Sequence, residues 1–141
     1  MTKARHSEGP RPNLSRRRLI GALALLPLVV QQGGCTRGNA NGQALVNVAL
    51  GDPAAAARLG SSFLADNPAE ADAERLWHYI EKSGRLSVAG PMPVGGEPLL
   101  AWFKQLVRAE YAAGRARLVD GWLLSPSEAR LYALSALFLR D

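Results

Sequence analysis

The chain has 141 residues and a formal net charge of +5, a length that suits one domain. The charge is confined to the first 18 residues, where Lys3, Arg5, Arg11, Arg16, Arg17 and Arg18 stand against Glu8 alone; from Cys35 onward 11 basic residues balance 11 acidic ones. A body without net charge has no basic face for phosphates, which argues against nucleic acid as a partner, and a single cysteine excludes an internal disulfide.

Ser15-Arg16-Arg17-Arg18-Leu19-Ile20 leads into an uncharged apolar run of 12 residues, Leu19 to Val30. A membrane-crossing helix needs about 20. A shorter run behind a positive flank fits the hydrophobic region of a signal peptide, and Pro27 opposes a stable anchor helix. The pattern resembles the twin-arginine signal motif: Ser15, Arg16 and Arg17 match it, and Leu19 stands where the family prefers Phe. The resemblance implies export in a folded state, with residues 1–34 as the signal and a destination in the periplasm or on the periplasmic side of a membrane.

Two processing points are compatible with the residues. Cleavage before Cys35 would acylate that thiol and anchor the domain to a membrane; Gly33 and Gly34 suit this and Gln32 does not. Ordinary signal peptidase would use the small residues Gly38 and Ala40 and cut before Asn41.

Residues 35–51 are rich in Gly, Asn and Gln and read as a linker, which leaves 52–141 as the folded domain. Asp52-Pro53 caps a first helix carrying Leu59 and Phe63. Asn67-Pro68 ends it and opens a second, about Pro68 to Lys82, acidic at its start through Glu70, Asp72 and Glu74 as the helix dipole favours. Ala69, Ala73, Leu76, Trp77 and Ile80 form its apolar stripe, and Gly84 is its expected stop. Residues 85–97 read as a long Gly- and Pro-containing loop.

A third helix, about Pro98 to Ala113, sets Leu99, Trp102, Phe103, Leu106, Val107 and Tyr111 on one side and Lys104, Arg108 and Glu110 on the other, and stops at Gly114. Asp120-Gly121 between apolar triplets signals a hairpin. Ser125-Pro126-Ser127-Glu128 is a capping box that opens the last helix, whose apolar face runs through Leu131, Leu134 and Phe138. The expected fold is mainly α: about four helices, with a short hairpin before the last, behind a signal peptide.

Little in this body points to chemistry. His78 is its sole histidine and has neither co-ligands for zinc nor an oriented nucleophile beside it. Glu70, Asp72 and Glu74 lack the glycine turn and alternating oxygens of a calcium loop, and residues 91–96 lack a phosphate-binding pattern. No metal, cofactor or catalytic residue is expected. Trp77 and Trp102 read as core. Core is the first reading of Trp122 as well, but its place beside the hairpin tip makes it the best candidate of the three for contact with a partner.

Leu64-Ala65-Asp66-Asn67-Pro68, Ala113-Gly114-Arg115, Val119 to Ser125, Glu128-Ala129-Arg130-Leu131 and Ala133-Leu134 together resemble a group of small exported proteins with twin-arginine signals, uncharacterised in function. That resemblance implies a shared fold and export route and no catalytic residue. The architecture is similar, more loosely, to small twin-arginine subunits of periplasmic flavin dehydrogenases such as the gluconate dehydrogenase small subunit. Since the pathway moves folded proteins, one signal can carry a bound partner across. This implies a non-catalytic accessory or escort subunit of a larger periplasmic protein, an oxidoreductase among the candidates. The alternative is a free-standing or lipid-anchored envelope protein.

Overall fold

The structure is a computed structural model and describes residues 36–140. Five α-helices and one antiparallel hairpin make up this part of the chain. None of these helices is long and apolar enough to cross a membrane.

The first helix, α1 (Thr36–Ala49), occupies most of the segment expected to be a linker. Its glycines and asparagines are poor helix formers, so packing is what holds it. Leu45 and Val46 are buried in the core, and Gly42 faces Leu134, Phe138 and Trp77 at a distance that leaves room for a methyl group.

Helix α2 (Pro53–Asp66) starts as expected. The Asp52 carboxylate accepts from the Ala55 N–H at 2.9 Å, and Pro53 takes the first turn. Ala56, Gly60, Phe63 and Leu64 bury one face, while Leu59 is half-buried. Asn67 closes the helix, its backbone and side-chain N–H groups both donating to the Phe63 carbonyl.

The next element departs from expectation. Pro68–Glu70 is a single 3₁₀ turn, and α3 (Ala73–Ser87) begins only after Asp72, whose carboxylate accepts from the Arg75 N–H at 2.8 Å. Ala69 is exposed and takes no part in the stripe formed by Leu76, Trp77 and Ile80. Gly84 does not stop the helix. It lies buried inside α3, where a Cβ would overlap the Trp102 indole. The glycine is needed because α4 (Gly96–Ala112) crosses there. The connection therefore shrinks to residues 88–95, with Val88 buried.

Helix α4 buries Leu99, Trp102, Phe103, Leu106 and also Glu110. It ends at Gly114, φ +68°. The Arg115 N–H bonds back to the Glu110 carbonyl and the Gly114 N–H to that of Tyr111, both at 2.9 Å, which is the Schellman arrangement. Strands β1 (Arg117–Val119) and β2 (Trp122–Leu124) then pair Arg117 with Leu124, Leu118 with Leu123 and Val119 with Trp122.

Helix α5 (Pro126–Phe138) touches all four other helices. A helix surrounded in this way buries more than one face: Leu131, Ala133, Leu134 and Ala136 are all buried, and so are the hydrogen-bonded Ser127 and Ser135. The tightest approach is to α2: a Cβ on Gly60 would overlap the Tyr132 carbonyl, and the Ser135 hydroxyl donates to the Pro53 carbonyl at 2.8 Å. Glu70 takes two hydrogen bonds from the Arg130 guanidinium at 2.8 and 3.0 Å, and that guanidinium lies 4.6 Å over the Tyr79 ring. The 3₁₀ turn is thereby fastened to α5. Every buried side-chain nitrogen and oxygen among the described residues has a partner.

Candidate functional site

The site is built on the hairpin. Asp120 and Gly121 both adopt positive φ, 46° and 82°, the I′ geometry that follows the right-handed twist of a two-residue hairpin. Directly paired residues share a face. Val119 and Leu124 point to the body and are 4% and 6% exposed. The guanidinium of Arg117, Leu124's pair, lies 5.2 Å over the Phe63 ring. Leu118 and Leu123 share the outer face and are 71% and 62% exposed.

Trp122 pairs with Val119 but sits at the turn end, where it overhangs the body and remains 64% exposed. It walls a cleft of about 340 Å³ together with Leu50, Ala55, Leu59 and Tyr132. The ribbon therefore leaves large apolar side chains uncovered on both faces, Leu118 and Leu123 on one and Trp122 on the other, and exposed apolar surface of this kind on a small domain marks an interaction site.

The hairpin is held at its base by polar groups from two helices. The Tyr111 hydroxyl, on α4, donates to the Glu128 carboxylate at 2.6 Å and lies 3.1 Å from the Leu123 carbonyl. Glu128 also accepts from the Ser125 N–H at 2.9 Å, and the Ser125 hydroxyl accepts from the Glu128 N–H at 3.2 Å, which completes the expected capping box. Desolvation, then the hydrogen bond and charge of Glu128, push the Tyr111 phenol up to about 12. Beneath this, Glu110 is wholly buried and accepts from the Ser127 N–H at 2.9 Å and the Ser127 hydroxyl at 2.8 Å. Two side chains thus cap one helix start, Ser125 from within and Glu110 from α4.

Glu110 corrects the expectation that it shares a solvent-facing side with Lys104 and Arg108. Tyr111, expected on the apolar side, is 40% exposed and acts through its hydroxyl. Leu118, Leu123 and these two α4 residues are the parts of the site that reading for motifs missed. The hairpin signal located the strands, but which face would lack cover depends on the helices beneath.

Trp77 and Trp102 are core residues, each 4% exposed, and Trp122 is not. His78 is exposed on α3 beside Tyr79. The acidic cluster is divided among three tasks: Glu70 binds Arg130, Asp72 caps α3, and Glu74 lies in its first turn. No group of three or more His, Cys, Asp or Glu side chains among the described residues could hold a metal ion. Ser15, Arg16, Arg17, Leu19 and Cys35 lie outside the described residues. Compared with known protein families, with curated proteins and with solved structures, the chain shows no match.

Proposed function

We propose that this chain is an exported accessory or escort subunit, carried by its twin-arginine leader, which holds a larger periplasmic protein against the exposed apolar side chains of its hairpin, Leu118 and Leu123 on the outer face and Trp122 at the turn end of the other. The observation that carries the reading is the exposure of Leu118, Trp122 and Leu123 on one ribbon whose base is pinned by Tyr111, Glu128 and Glu110. A surface held rigid before binding loses little conformational freedom on association, and a tryptophan flanked by leucines is the kind of anchor on which binding energy concentrates. An oxidoreductase partner follows from the likeness to flavin dehydrogenase small subunits.

The test is a native pull-down of the tagged full-length chain from detergent-solubilised envelopes, beside the Leu118→Ser/Trp122→Ala/Leu123→Ser variant. The reading expects a stoichiometric partner that the variant loses while its circular dichroism and melting curve stay unchanged. A bait recovered alone would sink it. The bait's intact mass would then separate a lipid-anchored envelope protein, modified at Cys35, from a product that starts near Asn41.

A further inference from the structure

A second cleft, of about 260 Å³, lies where the C-terminal end of α1 meets α4 and α5. Leu50, Leu100, Phe103, Val107, Leu131 and Tyr132 supply its apolar wall, and Lys104 and Arg108 also line it. These two cations are four residues apart on α4, so they stand one above the other on the same face. Both are exposed, and the ion pairs among the described residues, Arg85 with Glu81 and Arg130 with Glu70, involve neither. Adjacent like charges at this spacing repel.

One carboxylate, that of Glu128, also lines the cleft, and it is already engaged by the Ser125 N–H and the Tyr111 hydroxyl. Those neutral donors leave its charge in place, so two cations face one carboxylate and the lining carries one net positive charge.

We infer that the cleft binds a single-chain anionic amphiphile, a fatty-acid-like molecule with its tail against Leu100, Val107 and Leu131 and its head group on Lys104 and Arg108. A small inorganic anion would leave the apolar wall unused, and a neutral hydrocarbon would leave the paired cations unused. An anionic amphiphile satisfies both. The volume is slightly below the roughly 300–1,000 Å³ of pockets for drug-sized ligands, which suits one unbranched chain. This site adjoins the Trp122 cleft, with which it shares Leu50 and Tyr132, but Leu118, Trp122 and Leu123 do not line it.

The experiment is calorimetric titration of the full chain with laurate below its micelle concentration, and with 1-dodecanol as the uncharged counterpart. Saturable binding of one laurate per chain is expected, with dodecanol weaker by about tenfold, and laurate binding to Lys104→Glu/Arg108→Glu weakened by more than that factor, because both charge-assisted contacts are lost and two repelling carboxylates replace them. Raising the salt concentration should weaken laurate more than dodecanol. Val107→Trp, which fills the cleft, should abolish both. The hairpin variant should still bind laurate, so failure of the partner reading leaves this one standing. No saturable laurate binding, equal affinity for the alcohol, insensitivity to the charge reversal, or association seen only with phosphatidylglycerol vesicles would each overturn the proposal.

Discussion

Glu110 places a carboxylate where no solvent reaches and gives both its oxygens to Ser127. Acceptors at a helix N-terminus satisfy N–H groups that the helix itself leaves open, and a negative charge there meets the positive end of the dipole. Glu110→Ala strands the Ser127 N–H and hydroxyl in the interior and should cost about 2–3 kcal/mol in a urea titration. Glu110→Gln keeps an acceptor and the shape, and should lose less than half of that.

Tyr111 gives a prediction in pH. Its phenol titrates at about 12 rather than 10, so folding favours the neutral form. The resulting stability is complete below pH 10 and is lost as pH rises from 10 to 12. Phenolate absorbance in the folded protein, taken as the difference from Tyr111→Phe, should show one tyrosine titrating near 12. The position of Glu110 was legible in one respect: it falls four residues after Leu106 and extends the buried series Leu99, Trp102, Phe103 and Leu106. The residue type argued the other way, because a carboxylate enters a core only when donors await it, and these come from Ser127, 17 residues further on.

The elements divide into those fixed by neighbouring residues and those fixed by distant ones. The Asp120-Gly121 turn and the Ser125–Glu128 box were legible because each is a local contract between residues a few positions apart. Gly84 was misread for the opposite reason. A glycine near an expected helix end resembles a stop, and only the Trp102 ring from α4 explains why the side chain must be absent. α1 was missed because its composition disfavours a helix, and Leu45 and Val46 override that preference from the core.

The glycines turn this into measurements. At Gly42 a Cβ would sit 3.5–3.7 Å from Leu134, Phe138 and Trp77, ordinary contact, so Gly42→Ala should stabilise by about 0.5–1 kcal/mol and raise the melting temperature. Gly84→Ala should destabilise by about 1–3 kcal/mol, since the Trp102 ring would have to shift. Gly60→Ala should cost more still, because its new methyl meets backbone rather than a side chain.

For the whole molecule, the folded unit includes α1. A fragment of residues 52–141, the domain expected from composition, lacks Leu45 and Val46, and burying two such side chains stabilises by about 3–6 kcal/mol. Residues 36–141 should unfold cooperatively with denaturant, whereas 52–141 should show a much lower midpoint or no folded baseline. Chain order adds a consequence for biosynthesis. The hub of the bundle, α5, is translated after all four helices that pack on it. Until it leaves the ribosome, α1, α3 and α4 can pack on one another, but α2 lacks its main partner and the faces turned toward α5 stay uncovered. The bundle therefore closes only once its last helix has been made, and a polysome-bound chain ending before Ser125 should leave the face that α5 covers open to holding factors.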